Sequence, residues 1–216
     1  MMSLPCLSVE DLVEVAAGKT AVILDTRGYF SFAAGYVPGT IGIGLDENFG
    51  RYASMVVPKN MPIYLIATPE QVSVAVAALA AADRNDVVGY FLPTAVEDWE
   101  DEADAPLASI RQLAPKQVAA GIAKAEYQLL DVRQQEEWEA SHVGEAIHIP
   151  LAQLSSRVHD VPVEKPVLLL CRSGGRSLIG ATLLKNAGFP GSIINLKGGV
   201  DELINTLNND FYDITV

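Results

Sequence analysis

Residues 167–187 read VLLLCRSGGRSLIGATLLKNA, in which an apolar run, a glycine-containing loop and an Ala/Leu-rich segment follow one another. The four apolar residues Val167–Leu170 predict a buried strand, and residues 178–187 predict a helix. The two glycines between these elements permit a tight turn. Cys171 is therefore predicted at the carboxyl end of a strand, which is where open α/β sheets present their ligands.

The residues around Cys171 predict a pocket for an anion. Gly174 and Gly175 let backbone N–H groups converge, and the dipole of the following helix points at the sulfur, so a thiolate is favoured. Arg172 and Arg176 add positive charge. Because burying a guanidinium without an anionic partner is costly, we expect both arginines to face a partly open pocket. The alternative, an ordinary buried cysteine, leaves these glycines and arginines unexplained.

The number of residues between the cysteine and the second arginine of this loop indicates which ligand the loop suits. Four residues separate Cys171 from Arg176, whereas the loop of cysteine-dependent phosphatases has five between its cysteine and its arginine. The shorter ring suits a terminal sulfur atom better than a tetrahedral phosphate. Residues 171–177 resemble the active-site loop of rhodanese-type sulfurtransferases, whose cysteine carries a sulfane sulfur as a persulfide.

The resemblance gives each loop residue an expected role. It implies that Cys171 is the catalytic nucleophile. The residues that it implies for substrate binding are Arg172, Ser173, Gly174, Gly175, Arg176 and Ser177. No cofactor is expected, and no metal site is readable, because His142, His148 and His159 lack the spacing of zinc ligands. We expect these histidines to be structural or exposed.

The chain also contains an internal repeat, a pattern that predicts two related structural units. The sequence LDTR at residues 24–27 recurs 106 positions later as LDVR at residues 130–133. Further along, residues 62–66 align with residues 166–170. Since the Asp and Arg of the first pair of segments occur in both copies, we expect them to have a scaffold role, as an ion pair or a loop tether.

The first copy lacks a nucleophile, because Ala67 aligns with Cys171. The residues that follow are also unsuited to an anion, since Pro69 removes a backbone donor and Glu70 adds a negative charge. Tandem rhodanese proteins commonly pair an inactive first copy with an active second one. Residues 25–39 are similar to the rhodanese tail of metallo-β-lactamase–rhodanese fusions, whose metal-binding domain is absent from this sequence.

Composition agrees with two compact domains. The chain has 216 residues, half of them hydrophobic, and short Val/Ile/Leu runs alternate with Ala-rich stretches. This alternation is typical of α/β folds with parallel strands. We predict two tandem rhodanese-like domains, residues 1–106 and 107–216, each a small parallel sheet flanked by helices. The acidic residues 97–104 mark the boundary.

Charge and cysteine content restrict the partners and the compartment. The net charge is −12, so no nucleic-acid partner is expected. Cys6 and Cys171 are too few for a disulfide framework. The amino terminus has no apolar core of a signal peptide, and no stretch is long enough to span a membrane, so a cytoplasmic protein without membrane contact is expected.

The resemblance implies a sulfurtransferase. Its donor would be a small sulfur-containing anion, thiosulfate or a low-molecular-weight persulfide, and its acceptor cyanide, a thiol or a protein. Three alternatives remain. In the first, the chain is a sulfur-relay or binding module for a fused or partner persulfide enzyme. In the second, it is a phosphatase or arsenate reductase that uses a similar loop. In the third, it is a structural pseudo-enzyme. The last alternative leaves the loop at Cys171 unexplained.

Overall fold

The computed structural model describes residues 4–209 and divides the chain into two compact units, Met1–Ser109 and Ile110–Val216. The boundary predicted from the sequence lies between residues 106 and 107. In the structure, Ala108 and Tyr36 exchange backbone hydrogen bonds of 2.9 Å. These bonds keep the chain within the first unit as far as Ser109.

The first unit is built on a parallel sheet. Its strands are β1 (Cys6–Leu7), β2 (Val22–Asp25), β3 (Ile41–Gly42), β4 (Ile63–Ile66) and β5 (Val87–Phe91). They lie in the order β1-β5-β4-β2-β3. The helices are α1 (Val9–Gly18), α2 (Tyr29–Ala34), α3 (Phe49–Val56), α4 (Pro69–Ala81), α5 (Thr94–Glu97) and α6 (Trp99–Ala103).

The second unit repeats this arrangement. Its strands are β6 (Arg111–Leu113), β7 (Gln128–Asp131), β8 (Ile147–His148), β9 (Val167–Leu170) and β10 (Ile193–Leu196). They form a parallel sheet in the order β6-β10-β9-β7-β8. The helices are α7 (Pro115–Ala123), α8 (Gln135–Ala140), α9 (Leu151–Leu154), α10 (Gly175–Asn186) and α11 (Gly199–Asn209), with a 3₁₀ turn at Val158–Asp160. Two parallel sheets flanked by helices confirm the predicted fold class.

The strand before Cys171 lies in the interior of its sheet. β9 is placed between β10 and β7, and its four side chains are completely buried. Helix α10 packs on this strand, with Leu178, Ile179 and Leu184 also buried. The packed layers fix Cys171 at the carboxyl end of β9.

Within residues 4–209, no helix combines the length and the apolar character needed to cross a bilayer.

Both units contain the ion pair expected from the repeat. In the second unit, Arg133 donates from Nε to the Asp131 carboxylate at 2.8 Å and from Nη2 to the carbonyl oxygen of Ser141 at 2.8 Å. Asp131 is completely buried. Arg27 and Asp25 form the same pair in the first unit. Burial raises the pKa of the Asp25 carboxyl, and the hydrogen bonds from Arg27 oppose this effect. The pair therefore joins a strand end to the following loop.

Replacing Arg133 by alanine would leave Asp131 buried without its ion-pair partner. We expect Arg133→Ala to lower the free energy of unfolding of the second unit by about 3 kcal/mol. Trp138 lies in the second unit, so its fluorescence in a Trp99→Phe background reports on the urea unfolding of that unit. The exposed Arg111 provides a control, since Arg111→Ala should change this free energy by less than about 0.5 kcal/mol. Equal effects of the two substitutions would contradict a tethering role.

Candidate active site

Cys171 lies directly after β9, and its sulfur is contacted by the loop that follows. The N–H of Gly174 donates to Sγ at 3.1 Å, and the hydroxyl oxygen of Ser177 lies 3.2 Å from the same sulfur. The structure thus brings the predicted nucleophile and the predicted loop together. Cys171 is 1% exposed, so its sulfur is buried more deeply than expected for the partly open pocket that the sequence predicts.

Gly174 directs a backbone donor at the sulfur. It has a φ of +100°, in the left-handed region, and immediately precedes α10. A side chain here would be strained by this φ, and its Cβ would also lie 3.1 Å from Leu196 O and 3.3 Å from Gly198 N. The backbone orientation that aims this N–H at Cys171 therefore depends on glycine.

The sulfur lies beside the amino terminus of α10, where the Gly174 N–H and the Ser177 hydroxyl contact it. The first N–H groups of a helix have no intrahelical acceptor, and the helix dipole places partial positive charge at this end. Gly175, Arg176 and Ser177 form the first residues of α10. The site therefore combines a cysteine with the kind of helix end that stabilises anions.

A second glycine, in the segment that follows β10, supports the cysteine loop. Gly199 has a φ of +70°, and a Cβ at this position would overlap the carbonyl group of Arg172. The N–H of Val200 donates to the carbonyl oxygen of Cys171 at 2.8 Å. This close approach fixes the backbone of Cys171 and Arg172 from outside their own loop.

The two arginines of the loop have different environments. Arg172 is exposed, and its Nε lies 3.1 Å from the carboxylate of Asp201. Arg176 is 8% exposed, and its guanidinium donates two hydrogen bonds of 2.5 and 2.6 Å to Glu137. Both arginines were expected to face a partly open pocket; Arg172 is open to solvent, but Arg176 is buried against Glu137, so the expectation is wrong for Arg176. Glu137 supplies the anionic partner that makes burial of a guanidinium acceptable.

Glu137 was not identified from the sequence. It lies 39 positions before Arg176, and its carboxylate also accepts a hydrogen bond of 3.1 Å from the N–H of Gln134 at the start of α8. The spacing of Gln134 and Glu137 indicates a helix start, but it carries no signal for a distant arginine. The hydrogen bonds from Arg176 lower the pKa of Glu137 to about 2.

The histidines have the structural or exposed positions expected of them. His142 and His148 stack on Trp138, with ring centroids 3.8 and 4.8 Å away. Nδ1 of His142 lies 3.0 Å from Trp138 O, and Nε2 of His148 lies 2.9 Å from Arg133 O. The side chain of His159 is exposed. Packing and backbone contacts account for the two stacked rings.

The low pKa of Glu137 predicts a pH-dependent contribution to stability. Because the pKa is about 2 in the folded chain against an ordinary 4.5, the contribution is complete above about pH 4.5 and is lost as the pH falls towards 2. Glu137→Gln should therefore lower the urea midpoint of the second unit at neutral pH, and its difference from wild type should shrink in acid. Trp138 fluorescence in the Trp99→Phe background measures both midpoints. Glu136→Gln, on the same helix, is the control, and a difference that stays constant with pH would contradict this account.

Comparison with known proteins places these features in a family. The rhodanese-like domain family matches residues 114–206. The uncharacterized protein YqhL of Bacillus subtilis is 40% identical over 90 residues, which cover 42% of this chain and 69% of that protein. The thiosulfate sulfurtransferase GlpE of Coxiella burnetii is 32% identical over 80 residues, which cover 37% of this chain and 74% of that protein. The solved thiosulfate sulfurtransferase of Pseudomonas aeruginosa is 21% identical with a TM-score of 0.41, covering 98% of this chain and 43% of that one. The chain belongs to the rhodanese family of sulfurtransferases.

Proposed function

We propose that the second unit moves a sulfane sulfur through a persulfide on Cys171. The proposal rests on one observation, the placement of Sγ at the amino terminus of α10 with the N–H of Gly174 3.1 Å away. A sulfur in this position is stabilised when it carries negative charge. Both the thiolate and the terminal sulfur of a persulfide are anionic, so the same loop suits both states.

The reaction we propose consists of two displacements at sulfur. The thiolate of Cys171 attacks the outer sulfur of thiosulfate, the sulfur–sulfur bond of the donor breaks, and sulfite leaves with the bonding electron pair. A low-molecular-weight persulfide would react in the same way and release a thiol. Cyanide or a thiol then attacks the terminal sulfur, and the Cys171 thiolate is regenerated. A protein thiol is a further acceptor of the same chemical class.

The loop residues have distinct roles in this proposal. Gly174 and Ser177 place an N–H and a hydroxyl at the sulfur, and Gly175 begins the helix whose dipole points at it. Arg172, which is exposed, attracts the anionic donor through its charge, together with the polar Ser173 beside it. Arg176 binds substrate in the sequence-based hypothesis. Its bidentate pairing with Glu137 instead supports a role in holding the loop against α8.

The proposal predicts a defined covalent product. Incubation with thiosulfate should add the mass of one sulfur atom to the intact protein, on the peptide that contains Cys171, and cyanide should remove it. Cys171→Ser should abolish the addition, because it removes the nucleophile. Cys6→Ser is the matched control and should load fully, since Cys6 is exposed and lies outside the loop.

The same samples separate the alternatives. Hydrolysis of p-nitrophenyl phosphate without any sulfur addition would overturn sulfur transfer in favour of a phosphatase. Loading from a small persulfide but not from thiosulfate would support the relay role for a persulfide-forming enzyme. Loading from neither donor, in a protein whose Cys171 reacts with iodoacetamide, would refute the proposed function.

We propose that the first unit is a rhodanese-like domain without sulfurtransferase activity, which makes the chain a tandem protein. Ala67, which aligns with Cys171, is completely buried at the end of β4. The N–H of Thr68 donates to the side chain of Gln71 at 3.0 Å, so this donor serves to cap α4. Pro69 begins the helix and contributes no N–H.

This difference in loop structure predicts that a thiol alone does not restore activity. In a Cys171→Ser background, Ala67→Cys should remain unloaded after incubation with thiosulfate, because the new sulfur would lack the donors that surround Cys171. Alkylation under denaturing conditions verifies that the introduced thiol is present. Loading comparable to that of the wild-type protein would show that the loop matters less than the cysteine.

A further inference from the structure

A buried amide lies in an unexpected place within the second sheet. Asn195 is 1% exposed and lies on β10, between β6 and β9. Its neighbours on the strand, Ile193, Ile194 and Leu196, are buried and apolar. Interior strands of parallel sheets are covered on both faces and consist mostly of apolar residues. The amide of Asn195 therefore requires an explanation other than strand propensity.

The side chain of Asn195 connects the sheet to the cysteine loop. Its Nδ2 donates to the carbonyl oxygen of Gly174 at 3.2 Å and to Oε1 of Gln112, its register partner on β6, at 3.2 Å. Since the Gly174 carbonyl accepts hydrogen bonds and cannot donate them, the amide nitrogen must face it. The Oδ1 of Asn195 is buried and has no hydrogen-bond partner within residues 4–209. An unpaired buried acceptor is destabilising, so stability alone does not explain this residue.

The hydrogen bond from Asn195 to the Gly174 carbonyl affects the sulfur of Cys171 through Ser177. The Gly174 carbonyl oxygen accepts from the N–H of Leu178 at 3.3 Å and from Asn195, and the Ser177 hydroxyl oxygen lies 3.1 Å from it. Ser177 has one hydroxyl proton, and its oxygen also lies 3.2 Å from Sγ of Cys171. A carbonyl oxygen has two lone pairs, which Leu178 and Asn195 can occupy. The Ser177 proton is then available to the sulfur.

The first unit provides an internal comparison. Residues 62–66 align with 166–170, and the strand partner of Leu65 is Tyr90, whereas that of Leu169 is Asn195. The partner of Tyr90 on the edge strand is Cys6, in the place of Gln112. The unit without a nucleophile thus has a different pair of side chains at the positions of the two amides.

We propose that Asn195, anchored by Gln112, is a positioning residue that occupies the Gly174 carbonyl and so lets the Ser177 hydroxyl donate to the Cys171 sulfur. This inference rests on the proposed function, because it assigns a purpose to a hydrogen bond that stabilises anionic sulfur. Asn195 itself does not touch the sulfur. It acts through the orientation of one hydroxyl group, and it should affect the reactivity of the sulfur more than the capture of the donor.

The experiment measures Cys171 alkylation by iodoacetamide against pH, in a Cys6→Ser background. Asn195→Leu should move the profile to higher pH and lower kcat for thiosulfate by roughly tenfold, the effect of losing one hydrogen bond to a charged sulfur, with little change in KM. Ser177→Ala should produce a similar shift. The double variant Asn195→Leu with Ser177→Ala should then shift no further than Ser177→Ala alone, because both substitutions remove the same bond. Additive shifts would overturn the proposal, and so would an Asn195→Leu profile equal to that of the wild type.

Two further variants keep the test decisive. Thr182→Val removes another completely buried hydroxyl from α10, one that bonds to the carbonyl oxygens of Leu178 and Ile179 and not to Gly174, and it should leave the alkylation profile unchanged. If Asn195→Leu does not fold, Gln112→Leu removes only the anchor of Asn195 and should give a smaller shift in the same direction; no shift would overturn the proposal. Alkylation requires no sulfur donor, so the role of Asn195 is decided even if the wild-type protein fails to load sulfur and the proposed function is refuted.

Discussion

The backbone of Gly174 links the cysteine loop of the second unit to its sheet. Its N–H donates to the sulfur of Cys171, and its carbonyl oxygen accepts from Leu178 and Asn195 and lies 3.1 Å from the Ser177 hydroxyl oxygen. These contacts coexist because the φ of +100° turns the peptide between the end of β9 and the start of α10. One glycine in the left-handed region therefore determines both the donor at the sulfur and the geometry of the helix start.

The buried charges around this peptide are arranged in pairs. Arg176 is neutralised by Glu137 and Arg133 by Asp131, so two arginines near the loop hold secondary structure together. Attraction of an anion in the proposed reaction then depends on the backbone dipoles at α10 and on Arg172, whose ion pair with Asp201 is exposed to solvent. The backbone groups act on the sulfur at close range, whereas an exposed charge is screened by salt. In the proposed reaction, the backbone would therefore stabilise the charge on the sulfur, and Arg172 would attract the donor.

The sequence predicted the features that depend on local patterns. The apolar run before Cys171, the glycines after it and the repeated Asp–Arg pairs led to the strand end, the turn and the two parallel sheets that the structure contains. Glu137 and Asn195 escaped prediction because their roles depend on contacts with residues far along the chain. The exposure of Arg176 was predicted wrongly for the same reason. A buried arginine does need an anionic partner, but the partner here, Glu137, is distant in the sequence.

A comparison of the two units distinguishes the residues that build the fold from the residues that lie around the sulfur. The Asp–Arg ion pair and the strand order occur in both units, so they are requirements of the sheet and carry no information about chemistry. Three of the positions that differ lie at the carboxyl end of the interior strand, on the strand beside it and on the adjoining edge strand. They are Ala67 and Cys171, Tyr90 and Asn195, and Cys6 and Gln112. In the second unit, all three positions belong to one hydrogen-bonded group that includes Gly174. These three differences lie in the group that contacts the loop at Cys171, whereas the ion pair and the strand order are common to both units.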